Sequence, residues 1–309
     1  MGASNLLRLE TDEITRYTFI AKYDHPKEPD TKIVTETGVY HPRNTLNHLT
    51  GKEWIHFSRS WFVHKPKPRD KKKGEDLHPA KYPEDLIARF IKFFTKKGAW
   101  VLDPFCGTAS TLVAAQSVER NAIGFEISEK WASIGAKRTD QYVILGDVRN
   151  INTLTLPKFD FCISSPPYWD MLDHSRGGSE STQKDRISKG YDAKFSSLEQ
   201  DLGNIQDYNK FLDGLLTIYE KISQKMKENA YCVVIMQNTM KEKQQFYPLA
   251  WEFALKMRDH GFSLRQEMIW CQSDKKLGIW GYPNTYVSNV HHHYCLVFQV
   301  PEYSIKNLE

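Results

Sequence analysis

Residues 99–165 contain four short apolar runs: AWVLDPF (99–105), NAIGFEIS (121–128), YVILGDV (142–148) and FDFCISS (159–165). Helical patterns lie near 109–118 and from Ser128, which can serve as an N-cap. Continuously apolar strands of this length need burial on both faces. A parallel sheet covered by helices provides that burial, so the spacing predicts an α/β fold. Asp103, Glu126 and Asp147 each sit at the end of a run, on the side where open α/β sheets bind ligands. The fourth run stops on Pro166 and Pro167, neither of which can donate to a strand ladder.

The rhythm breaks at 170–206, a polar, Gly- and Ser-containing stretch that reads as a mobile insertion. A long amphipathic helix follows over about 207–227, a strand over 230–237 and another helix over 248–260. The runs at 264–272 and 292–300 flank a segment punctuated by Gly and Pro, which predicts an antiparallel pair. Residues 50–62 are aromatic and compact, and 64–76 are strongly basic. The basic stretch reads first as a solvated linker and second as a phosphate-contacting arm.

With 309 residues, 40% hydrophobic and 26% charged, the chain suits one large domain or a domain with a modest appendage. No apolar run is long enough to span a bilayer, and the N-terminus lacks the apolar core of a signal peptide. The MGAS start is discounted as an acylation signal because residue 6 is leucine. Four of the five cysteines (Cys162, Cys232, Cys271 and Cys295) lie in strand-like runs, and no C-x-x-C occurs. Buried reduced thiols in a cytoplasmic protein are expected. His291–His293 lack acid or thiol partners at ligand spacing, so no metal site is expected. A net charge of +4 permits a polyanionic partner.

The segment VLDPFCGTAST (101–111) is a strand, a small-residue turn and a helix start. It is neither G-x-G-x-x-G nor a P-loop, so a phosphate site is poorly supported. Glu126 is placed to accept from ribose hydroxyls. Jointly, Asp103, Glu126 and Asp147 suggest a nucleoside ligand held without phosphate contacts.

DPFCGTAST, Glu126, Asp147 and SSPPY, in that order, resemble the S-adenosylmethionine-dependent amino-methyltransferases that act on nucleic-acid bases. HPAKYPEDLIARFI (78–91) is similar to the segment that, in the DNA members, helps close over the methionine part of the cofactor. The resemblance spans roughly 78–300. It implies a Rossmann-like class I methyltransferase fold with a seven-stranded, mostly parallel sheet, a terminal antiparallel strand and helices on both faces. Residues 1–77 would be an N-terminal extension that could contact DNA, and 78–309 the catalytic domain. The implied cofactor residues are Tyr82, Asp103, Phe105, Cys106, Gly107, Thr108, Ser110, Thr111, Glu126, Asp147 and Val148. Ala109 departs from the family, which often has a second glycine there, and its methyl is expected to narrow the cofactor pocket slightly.

The resemblance also assigns Ser165, Pro166, Pro167 and Tyr168 to catalysis beside a flipped base, with Trp169 helping to bound the base pocket. An exocyclic amine is a poor nucleophile because its lone pair is delocalised into the ring. Acceptors on Ser165 and the Pro166 carbonyl would favour a more tetrahedral nitrogen. Tyr168 would stack on the base, an interaction worth roughly 1–3 kcal/mol. Within the family, serine at the first position of this tetrad leans towards cytosine N4. Adenine N6, an RNA substrate and a silent cofactor-binding subunit of a modification complex are the alternatives. Carbon methylation is disfavoured because no Pro-Cys dipeptide is present. The 17 residues between Asp147 and Ser165, and the nine after the last strand, are too few for a target-recognition domain. Recognition is therefore expected from 1–77, from 170–206 or from a partner subunit. The implied setting is bacterial or archaeal DNA modification, with or without a restriction partner.

Overall fold

The computed structural model describes residues 5–9, 12–65, 82–169, 201–240, 245–273, 277–279 and 282–301. Ordered along the chain, the strands are β1 (Leu6–Arg8), β2 (Ile33–Thr35), β3 (Gly38–Tyr40), β4 (Trp61–Val63), β5 (Trp100–Asp103), β6 (Asn121–Glu126) and β7 (Tyr142–Leu145). They continue with β8 (Phe159–Ser164), β9 (Met226–Met236), β10 (Thr239–Met240), β11 (Phe246–Tyr247), β12 (Ser263–Cys271) and β13 (His292–Gln299). The helices are α1 (Asp12–Thr15), α2 (Gly51–Phe57), α3 (Glu84–Phe94), α4 (Ser110–Ser117), α5 (Glu129–Ala136), α6 (Tyr208–Ser223) and α7 (Leu249–Asp259).

One nine-stranded sheet organises the molecule, in the order β1-β7-β6-β5-β8-β9-β13-β12-β4. From β1 to β9 neighbouring strands run parallel, and β13 is inserted antiparallel to both β9 and β12. The order reverses between β5 and β8, which opens a crevice at the carboxyl ends of the central strands.

All seven expected strands are present, and the antiparallel pairing of the last two is as the punctuated loop predicts. The N-terminal segment supplies the other two as edge strands, β1 beside β7 and β4 beside β12. Each is three residues long, too short to show a period in the sequence. Alternation within the central strands divides the core. Val101, Phe161 and Val233 face a layer built with α2, α3 and α4, while Leu102, Cys162 and Val234 face α6 and α7.

The helix expected over 207–227 stops at Ser223 because β9 begins at Met226, and Asp207 caps its start by accepting from the Lys210 amide. Of the stretch read as an insertion, 170–200 lie outside the described residues. Residues 202–204 form a 3₁₀ turn, with Leu202 packed into the core. Of the basic stretch 64–76, only His64 and Lys65 are among the described residues. His64 pairs with Asp85 in α3 at 3.0 Å.

Candidate active site

The crevice is a cleft whose empty space, counting its open mouth, is about 920 Å³. Its floor is the turn between β5 and α4. Gly107 takes a left-handed conformation there (φ +51°), and its amide donates to Glu126 Oε2 at 2.9 Å. Glu126 Oε1 accepts from the Ser128 amide at 2.8 Å. One carboxylate therefore ties the turn after β5 to the turn after β6. Burial pushes the Glu126 carboxyl up to about 7, and the charges of Asp201 and Asp103 push the same way.

A second cluster lies beneath the turn. Tyr82 donates to Asp103 Oδ2 at 2.9 Å and is also hydrogen-bonded to Thr111 Oγ1, and Asp103 Oδ1 accepts from the Phe105 amide at 3.0 Å. Asp103 is fully buried, which raises its carboxyl to about 6 despite these donors. The bond from Tyr82 holds the residues just before α3 against the turn. Asp147 caps the 3₁₀ turn Val148–Thr153 and is paired with Arg149, whose Nε lies 2.8 Å from Oδ2.

Twelve of the cofactor and catalytic candidates share the cleft wall: Tyr82, Phe105, Cys106, Gly107, Thr108, Ser110, Glu126, Asp147, Val148, Ser165, Pro166 and Pro167. Asp103 and Thr111 support Tyr82 from below. Tyr168 and Trp169 lie elsewhere. Tyr168 is 9% exposed, and its hydroxyl bonds Ser165 Oγ at 2.9 Å and donates to the Ile235 carbonyl at 3.2 Å. Trp169 is 3% exposed and packs edge-on to Tyr208 and Tyr247. Neither ring lines the cleft.

Ala109 is also absent from the lining. It holds a left-handed conformation (φ +63°) at the start of α4 and is fully buried. A Cβ built on Gly135 would lie 3.1 Å from its methyl, so that methyl points at α5. The expected narrowing of the pocket is therefore a helix-packing contact instead.

Sequence reasoning missed several lining residues, notably Trp131, Arg149, Asp201 and Leu202. Trp131 had a usable signal, an aromatic in the first turn after the Ser128 cap. Asp201 and Leu202 had none, since they lie within the polar stretch 170–206. Gly124 was missed too. A Cβ there would meet Cys106 Cβ at 2.6 Å and Leu112 Cδ1 at 2.8 Å, so only glycine lets the turn after β5 sit against β6.

The strand order, the inserted antiparallel β13 and the cleft at the carboxyl edge define a class I methyltransferase fold. Residues 15–137 match the DNA methylase family model. The match begins well before residue 78, so it takes in much of the segment read as an extension. The chain is 38% identical over 98 residues to the Type II methyltransferase M.BglI of Bacillus subtilis, covering 32% of this chain and 27% of that protein. It is 37% identical over 76 residues to the Type II methyltransferase M.MthZI of Methanothermobacter thermautotrophicus, covering 24% and 21%. The chain thus spans about a quarter of the length of these relatives. Among solved structures, a methyltransferase from Pyrococcus furiosus aligns with a TM-score of 0.41 and 16% identity, over 73% of this chain and 88% of that one. Over residues 15–137 the chain is thus similar to the DNA methylases, and over shorter segments to Type II methyltransferases.

S-adenosylmethionine is the cofactor that these similarities indicate, and the cleft fits it. Carboxylates stand where a nucleoside needs acceptors, and a small-residue turn allows close backbone approach. Among the described residues, no helix is long and apolar enough to cross a membrane.

Proposed function

We propose that the protein methylates the exocyclic amine of a DNA base, with cytosine N4 as the product position. The observation that carries this reading is the single cleft shared by Glu126, Asp147 and the turn at Gly107 on one side and Ser165, Pro166 and Pro167 on the other. When bound, S-adenosylmethionine supplies an electrophilic sulfonium methyl.

The chain's own part is to hold the amine and shape its nitrogen. Ser164, just before the loop, is fixed by a 2.6 Å bond to Tyr219, and the two prolines lock the next backbone angles. The hydrogen bonds around Tyr168 set the polarity of Ser165. Tyr168 has one hydroxyl proton, and the Ile235 carbonyl can only accept it. The Ser165 proton is then directed to the Tyr168 oxygen, which leaves the Ser165 lone pairs as acceptors for an amine N–H. Burial raises the Tyr168 phenol further above its ordinary range, so it stays a donor. This arrangement supports an orienting role for Tyr168 in place of the stacking role that the resemblance implies.

Serine at position 165, through the family resemblance, favours cytosine N4 over adenine N6. The test incubates pure protein with labelled cofactor and either duplex DNA or RNA, followed by nucleoside mass spectrometry. N4-methylcytosine in DNA is expected. Methyladenine alone would overturn the base assignment, and label in RNA alone would overturn the substrate class.

A further inference from the structure

We propose that Asp201 binds the nucleoside part of the cofactor, by accepting hydrogen bonds from the hydroxyl or amine donors of the adenosyl group. The inference rests on the cofactor reading of the cleft. It adds an acid from a part of the chain outside the β5–β7 turns, at the end of the stretch that follows the Ser-Pro-Pro-Tyr loop.

Three observations carry it. Asp201 lines the cleft although it is only 8% exposed. It shares that lining with Glu126 and Arg149, and its charge acts on both. Its position is also fixed by packing. Asp201 caps the 3₁₀ turn Leu202–Asn204, with Oδ1 accepting from the Gly203 amide at 2.9 Å. Leu202 seats against Gly214 of α6, where an added Cβ would come within 3.0 Å of Leu202 Cδ2. The negative charge of Asp201 disfavours the ionised form of Glu126. A ligand rich in O–H and N–H donors relieves that cost, whereas an anionic one would increase it.

The decisive variant is Asp201→Asn. Asparagine caps a turn as well as aspartate does, so the fold is kept while one acceptor becomes a donor. Calorimetry with S-adenosylhomocysteine and with 5′-methylthioadenosine, which lacks the amino-acid part, reads the effect. Both affinities are expected to fall about tenfold by the same factor, with no fall in the melting temperature in the absence of ligand. Unchanged affinity for both ligands would overturn the proposal, as would a loss confined to S-adenosylhomocysteine. Glu126→Ala is measured in parallel. A loss there with none at Asp201 removes Asp201 alone, whereas no loss at either position removes the cofactor reading of the cleft.

Discussion

Replacing Tyr168 with phenylalanine separates the two roles its ring and hydroxyl could play. The ring is 9% exposed and keeps its packing in the variant, so stacking or core contacts are preserved. Two hydrogen bonds are lost, at 2.9 Å to Ser165 and 3.2 Å to the Ile235 carbonyl. At about 0.5–1.5 kcal/mol net for each bond, folding stability should drop by roughly 1–3 kcal/mol. Ser165 then loses the acceptor for its proton, and its hydroxyl can turn to donate towards the base. Losing one oriented acceptor in the transition state should cost about 1–2 kcal/mol, or roughly 5- to 30-fold in rate. The assay is single-turnover methyl transfer at saturating cofactor, with cofactor affinity measured separately and expected to stay constant. An unchanged rate in Tyr168→Phe, with a large loss in Tyr168→Ala, would refute the orienting role and return the residue to stacking.

The raised carboxyl of Glu126 should make cofactor binding depend on pH. Its folded value of about 7 lies above its ordinary 4.5, so ionising the ligand-free fold is unfavourable between those values. Melting temperature without ligand should therefore fall as pH rises from 5 to 7.5, while cofactor affinity should increase across pH 6–8, as read by calorimetry; a flat affinity profile would contradict an ionised Glu126 as acceptor. Gly124→Ala should destabilise the protein by about 1–3 kcal/mol through overpacking against Cys106 and weaken cofactor binding, measured by thermal melts with and without S-adenosylhomocysteine. Ala109→Gly should leave cofactor affinity unchanged, because that methyl faces Gly135 and not the cleft. Gly135→Ala should be destabilising alone and partly rescued by Ala109→Gly, a coupling that a double-mutant cycle of melting temperatures reads directly.

The central strands were legible because each is buried on both faces and therefore almost continuously apolar, and the carboxylates that end β5 and β6, and the one just after β7, stand out against that background. The turn at 103–111 and the Ser-Pro-Pro-Tyr loop were legible because rigid or small residues leave a local record of the backbone they require. Cofactor candidates drawn from those turns accordingly gather in one cleft. The tertiary structure decided what depends on approach between distant segments. Strands β1 and β4 are strands only because β7 and β12 offer open edges, and three residues carry no period of their own. Ala109 looks like a pocket residue beside DPFCGT, but α5 decides where its methyl points. Tyr168 reads as a stacking ring in a linear motif, yet the Ile235 carbonyl on β9 captures its hydroxyl. Asp201 lies late in a polar stretch with no pattern at all, and it comes to line the cleft because Leu202 finds a notch at Gly214. Local sequence encodes local conformation and burial; the direction of a side chain is set by whatever the rest of the chain packs against it.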